Sequence, residues 1–242
     1  MGIHVGTSGW SYAHWEGVLY PHGLDPRHRL DHYLHRYRTV ELNASYYRWP
    51  KDPAFASWRR RLPEGFLMSV KAPGLLTHVQ KLYSPEKWLR RIERGLAKLG
   101  DRRGPFLVQL SPRLEIDLPR LEYFLARLPH WLPTAVEFRH PSWHQESVFQ
   151  LLERYRAAYC VMSGAHLPCI LRATSWFVYA RLHGPDTNHL YGGSYGENDL
   201  QWWAERVREW DRAGKAVFVY FNNDGGGNAV RDADRLKQIL GL

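Results

Sequence analysis

Ile3-His4-Val5-Gly6-Thr7-Ser8-Gly9, near the start of the chain, decides between the two fold classes open to this sequence. Residues 3–6 have the apolar, β-branched character of a short buried strand. A doubly wound open sheet would follow such a strand with a glycine-rich phosphate turn that opens directly into a helix. Gly6-Thr7-Ser8-Gly9 lacks the third glycine of that fingerprint, and the next helical pattern starts only at about residue 27. The stretch reads as a strand ending at a polar rim, which favours a closed barrel.

Outward from this stretch, short strand signals alternate with longer helical patterns. Helix 27–37 precedes strand 39–42, and helix 52–61 precedes strand 66–70. A helix over 84–99 is expected to start with Ser84 as N-cap and Pro85 in the first helical position. Strand 106–110 and helix 117–128 follow, then strand 134–138 with helix 145–156. Strand 158–162 has little helix behind it. Strand 177–182, helix 197–212, strand 216–221 and helix 228–240 complete the chain. Eight strands in 242 residues give one about every thirty, the length of a βα unit. The expectation is an α/β protein with a single (β/α)8 TIM barrel, one domain over residues 1–242 with outer helices.

Composition narrows the functional classes. Apolar residues at 44% and charged residues at 24% suit a globular chain and exclude intrinsic disorder. Two cysteines provide no disulfide framework and no CxxC zinc or redox signature. Met1-Gly2-Ile3-His4-Val5 lacks the charged-then-apolar pattern of a signal peptide, and no apolar run nears the ~20 residues needed to span a bilayer. A cytoplasmic protein without membrane association is expected. The net charge of +9 is compatible with nucleic acid, an anionic surface or acidic metabolites, or with a basic solvated face.

In a (β/α)8 barrel the active site lies at the C-terminal strand ends, so the polar residue ending each strand carries information. The strands deliver Thr7 and Ser8; Glu41 and Asn43; Lys71; Gln109; Glu137, Arg139 and His140; Ser163; Arg181 and His183; and Asn222, Asn223 and Asp224. Glu41, Glu137 and Arg181 each have apolar neighbours on both sides, and ionised groups in apolar strands need partners. Lys71, Arg139 and Arg181 suit a phosphate or carboxylate. Glu41 and Glu137 are candidate general bases, or the counter-charges that make such cations tolerable. His183 is the candidate proton donor, with His140 a further imidazole near neutral pH. Asn43, Gln109, Asn222 and Asn223 are orienting amides. The competing reading is an inward-facing salt-bridge network that fills the barrel top.

Glu41, Glu137, His140, His183 and Asp224 have the ligand chemistry for a divalent ion. Three cations share their mouth and no HxH or HExxH spacing occurs, so no metal site is assigned, and no cofactor is designated. Cys160 reads as core. Asn222 to Gly227 is either an anion cradle at a helix N-terminus or a turn needing positive φ. Trp10, Trp15, Trp49 and Trp143 form a rim set that could stack bases or sugars; Trp58, Trp88, Trp202, Trp203 and Trp210 read as helix packing.

Seven motifs recur in order: Gly6-Thr7-Ser8-Gly9-Trp10-Ser11-Tyr12, Val40-Glu41-Leu42-Asn43, Ser69-Val70-Lys71-Ala72-Pro73, Phe106-Leu107-Val108-Gln109-Leu110, Val136-Glu137-Phe138-Arg139-His140-Pro141-Ser142-Trp143, Arg181-Leu182-His183-Gly184 and Tyr220-Phe221-Asn222-Asn223-Asp224. Together they resemble the YecE-like family, domain of unknown function 72, over essentially the whole chain. The resemblance implies a TIM barrel and no particular reaction. It marks Glu41, Asn43, Lys71, Gln109, Glu137, Arg139, His140, Arg181, His183, Asn222 and Asn223 as family motif positions. The resemblance implies an Asp at the end of the sixth strand in many members, where this chain has Ser163, which puts in doubt any mechanism needing a carboxylate from that strand. A more distant fold-level likeness is to endonuclease-IV-like and xylose-isomerase-like barrels, whose dense His and carboxylate sets this chain lacks.

The expected function is an enzyme or ligand-binding barrel for a small anionic, phosphate- or carboxylate-bearing molecule. Glu41, Glu137 and His183 are the catalytic candidates; Asn43, Lys71, Gln109, Arg139, His140, Arg181, Asn222 and Asn223 are the binding candidates. The alternatives are a nucleic-acid-binding or processing protein and a non-catalytic scaffold.

Overall fold

The computed structural model describes residues 2–242. Eight strands occur among them: β1 (Ile3–Thr7), β2 (Thr39–Leu42), β3 (Leu67–Lys71), β4 (Arg103–Gln109), β5 (Thr134–Glu137), β6 (Ala158–Ser163), β7 (Phe177–Leu182) and β8 (Ala216–Phe221). The helices are α1 (Arg29–Arg36), α2 (Asp52–Arg61), α3 (Glu86–Ala97), α4 (Leu118–Leu125), α5 (Glu146–Arg154), α6 (Glu197–Arg212) and α7 (Asn228–Leu240). No α-helix separates β6 from β7. The strand order is β1-β8-β7-β6-β5-β4-β3-β2, and a parallel bridge between Ser8 and Glu41 ties β1 to β2. Parallel strands in that cyclic order, with helices between them, are a (β/α)8 TIM-type barrel.

The chain divides into two compact units, Met1–Glu41 with Val161–Leu171 and Trp176–Leu242, and Leu42–Cys160 with Arg172–Ser175. In the first unit, β1 and β7 flank β8 in unbroken register, Ile3 to Thr7 against Val217 to Phe221 and Phe177 to Leu182 against Ala216 to Phe221. Apolar strands need covered faces. Leu200, Trp203 and Val207 of α6 and Val230, Ala233 and Leu236 of α7 are buried at helical spacing and provide that cover. Tyr33 of α1 secures the strand ends: Thr7 N donates to its hydroxyl at 3.1 Å, and the hydroxyl donates to Thr39 O at 3.0 Å.

The glycines of the opening stretch have steric roles here. A Cβ on Gly6 would lie 2.5 Å from Thr39 O, a backbone atom that cannot yield, so β1 approaches β2 only because residue 6 has no side chain. Gly9 has φ +86° and lies under the Tyr12 ring, where a Cβ would meet the hydroxyl at 2.6 Å.

In the second unit β3 pairs with β4, β4 with β5, and β5 with β6, all parallel. Phe66, Met68, Val70, Phe106 and Val108 are buried with Leu89, Ile92 and Leu96 from the apolar stripe of α3. β4 begins at Arg103, earlier than the expected 106, because its register with β3 shifts between Met68 and Val70 and seats Gly104 against Ser69. The start of α3 also differs from expectation. Its N-cap is Pro85, and Ser84 has φ 43°, with Lys81 at 49° and Leu82 at 65°. The cause is a π-helical turn at Leu75–Val79, after which the chain reverses through left-handed residues to bury Leu82, 1% exposed.

Candidate functional site

Tyr179 and Arg181 lie two residues apart on β7, so their side chains share one face of the strand. Both meet Glu41 of β2. Arg181 Nη2 donates to Glu41 Oε1 at 2.8 Å and Arg181 Nε to Oε2 at 2.9 Å. Ser8 Oγ donates to Oε1 at 2.5 Å and Tyr179 Oη to Oε2 at 2.7 Å. Both charged side chains have 0% exposure. The bidentate fork with two hydroxyl donors meets the condition under which a buried pair is tolerated. Burial and the adjacent Glu41 charge push the Tyr179 phenol well up, so it remains a donor. Beyond the end of β7, Asn222 Nδ2 donates to His183 Nδ1 at 3.1 Å, and His183 N donates to Ser163 O at 2.7 Å.

Asn223 serves a different network. Its Nδ2 donates to Gly193 O at 2.9 Å and to Asp232 Oδ2 at 2.7 Å, and Asp232 also accepts from Tyr195 N at 3.0 Å. These bonds pin the 193–195 loop to α7. Burial raises the Asp232 carboxyl above the ordinary carboxylate value. The glycines that follow form a 3-10 turn in which Gly226 and Gly227 have φ 62° and 79°. That turn supplies a conformational reason for glycine there.

The second unit holds a separate cluster at the ends of β3, β4 and β5. Gln109 and Glu137 are register partners, and Gln109 Nε2 donates to Glu137 Oε1 at 2.7 Å. Arg139, two residues on, donates through Nε to the same oxygen. Cys160 Sγ lies 3.9 Å from Glu137 Oε2. Lys71 Nζ sits over the Tyr46 ring, 4.5 Å from its centroid. Ser45 Oγ donates to Lys71 O at 2.6 Å, which latches the Asn43–Tyr46 turn to the end of β3. Asn43 Oδ1 is buried with no hydrogen-bond partner among the described residues. His140 caps the Pro141–Trp143 turn, its Nδ1 accepting from Ser142 N at 3.3 Å. Glu137 has 0% exposure, whereas Lys71 and Gln109 retain 7% and the Arg139 side chain 9%. Those small openings separate this cluster from the sealed Glu41–Arg181 pair.

Two residues of these clusters carry no periodic signal that marks them as polar partners. Tyr179 reads as one more apolar strand residue, although its spacing of two from Arg181 places it on the same face. His78 lies in the Leu75–Val79 turn, half-buried, with its ring edge-on to Tyr46 at 5.0 Å between centroids. Burial, then Lys71 and Arg139, depress its imidazole below the ordinary value and outweigh Glu137. Three of the four rim tryptophans differ from the stacking expectation. Trp15, Trp49 and Trp143 are buried; Trp15 Nε1 donates to Asp224 O at 3.1 Å and Trp143 Nε1 to Leu114 O at 2.7 Å, whereas Trp49 is held by packing against Phe55. No group of three or more His, Cys, Asp or Glu suited to a metal ion occurs among the described residues, and none of their helices is long and apolar enough to cross a membrane.

Fold and strand-end chemistry define a TIM-barrel protein with charged side chains embedded in its strands. Within that class, the chain belongs to the DUF72 family, described as "Protein of unknown function DUF72", which it matches over residues 4–242. It is 27% identical to UPF0759 protein YunF of Bacillus subtilis over 99% of this chain and 94% of that one. UPF0759 protein YecE of Escherichia coli K12 is 28% identical over 57% of this chain and 49% of its own length. A DUF72 family protein of Thermotoga maritima has a solved structure that superposes with a TM-score of 0.87 at 31% identity, covering 100% of both chains. A DUF72 structure from Enterococcus faecalis, 21% identical over 99% of this chain and 96% of that one, has a TM-score of 0.84 and shares the fold.

Proposed function

We propose that this protein binds a small phosphate- or carboxylate-bearing molecule at the ends of β3, β4 and β5, and acts on it by proton transfer. One observation carries the reading: Lys71 and Arg139, each nearly buried yet not sealed, lie in one strand-end cluster, Lys71 over the Tyr46 ring and Arg139 against Glu137. A poorly hydrated cation pair of this kind is favourable for an oxyanion. Gln109 and Asn43 orient the ligand, and a donor group on it would satisfy the unpartnered Asn43 Oδ1. Glu137 is the base. Within the first unit, Glu41 with Arg181 holds the strand ends in place, and Asn222 orients His183 as that unit's candidate proton donor. The reading places one domain over the whole chain, in the cytoplasm, in keeping with the two free cysteines.

Calorimetric titration with inorganic phosphate tests this. Wild-type protein is expected to bind one equivalent, and Lys71→Ala to bind it about 10- to 100-fold more weakly, the worth of one charge-assisted bond of about 1.5–3 kcal/mol. Equal affinity in wild type and variant would overturn the proposal. Tight, salt-sensitive binding of duplex DNA in the absence of phosphate binding would favour the nucleic-acid alternative.

A further inference from the structure

The π-helical turn at Leu75–Val79 places an imidazole where nothing in strand periodicity calls for one, and such turns recur at functional sites. Two groups, the Tyr46 ring and the Thr77 hydroxyl, hold its position. Gly74 lies under the Tyr46 ring, where a Cβ would meet the ring at 2.8 Å. The Tyr46 ring carries Lys71 Nζ on its face and the His78 ring at its edge. Thr77 Oγ1 contacts His78 Nδ1 at 2.9 Å and donates to Pro73 O at 3.4 Å. With its hydrogen directed to Pro73, the Thr77 hydroxyl accepts from His78 Nδ1–H, which leaves Nε2 as the basic nitrogen. His78 is half-buried, so a ligand can reach it.

The charged groups acting on His78 are Lys71 of β3 and Arg139 and Glu137 from the end of β5; Tyr46 and Thr77 are its neutral neighbours. We infer that His78 is the proton-uptake residue of the anion site, gaining a proton at Nε2 and becoming an imidazolium partner when a dianion such as phosphate binds beside Lys71 and Arg139. This rests on the anion-binding reading above and extends it by naming the ligand's charge state and the residue that answers it. The proton comes from solvent and goes to Nε2; no covalent bond forms or breaks. The two resident cations disfavour a third positive charge at His78, and a bound dianion reverses that field. Ligand binding and protonation then favour one another by the same factor. With Glu137 ionised, Lys71 and Arg139 leave one net positive charge, which a monoanion neutralises; the second charge of a dianion is the one the His78 imidazolium answers.

Sulfate is the discriminating probe, because it remains a dianion throughout the range in which imidazole titrates. Titrations with sulfate between pH 8 and pH 5, in buffers of differing ionisation heat, count the protons taken up. The His78 Cε1–H resonance, assigned through His78→Asn, follows its protonation directly. The expected result is affinity rising by up to about tenfold for each pH unit lowered, with uptake approaching one proton, an upward shift in His78 titration with sulfate, and loss of both in His78→Asn, which still binds sulfate. Sulfate binding that depends on Lys71 but takes up no proton, or an unchanged uptake in His78→Asn, would overturn the role of His78 and leave the anion site standing. Failure of both phosphate and sulfate to bind wild-type protein would overturn the anion site itself.

Discussion

Arg181→Ala is expected to lose about 3–5 kcal/mol of folding stability, the usual cost of stranding one member of a buried ion pair. Glu41 would be left with Ser8 and Tyr179 as donors and no positive charge, at 0% exposure. Against a typical total of about 5–15 kcal/mol, that is a large fraction, readable as a shift in urea midpoint. Glu41→Leu should be comparably harmful, since it strands the guanidinium. The double variant Glu41→Leu with Arg181→Met should recover much of the loss, because apolar replacement of a whole buried pair is often neutral or better. Single variants that unfold with the wild-type midpoint, or a double variant whose loss equals the sum of the singles, would contradict a strand-to-strand strut.

Glu137→Gln is expected to change phosphate binding in the opposite direction from Lys71→Ala. Removing a buried negative charge near the anion relieves a repulsion of about 2 kcal/mol per anion charge even at about 8 Å with an effective dielectric near 20, so the variant should bind phosphate at least roughly 30-fold more tightly. Arg139, relieved of its carboxylate partner, becomes available to the ligand, and the amide oxygen can still accept from Gln109. If Glu137 is the base, the same variant loses turnover while gaining affinity. Calorimetry reads the first effect; weaker or unchanged binding would show that Glu137 serves to position Arg139 and that the anion lies elsewhere.

The barrel was legible because each strand is a short apolar run bracketed by polar residues, and because glycine spacing after β1 does not make a phosphate turn. Embedded charge made Glu41, Glu137 and Arg181 visible as residues that need partners. Which partner each takes was not legible. Glu41 and Arg181 are 140 residues apart, and only the closing of β1 on β2 and β8 brings them together. Glu137 pairs with Gln109 through strand register and with Arg139 through local spacing, so that half could be read from i, i+2 alternation alone. His78 and the displaced start of α3 escaped because a π turn has neither the 2.0 nor the 3.6 period on which sequence reading depends. The rim tryptophans misled for a related reason: whether an indole in a loop faces solvent depends on what distant groups it packs against and, for Trp15 and Trp143, on which distant carbonyl takes its N–H.

A crystal structure of the protein soaked with arsenate, located by anomalous scattering of arsenic, tests the central claim most directly. The account predicts a single tetrahedral anion within hydrogen-bonding distance of Lys71 Nζ and the Arg139 guanidinium, with His78 beside it. Arsenate found only on surface arginines, with Lys71 and Arg139 still in their present contacts, would contradict it.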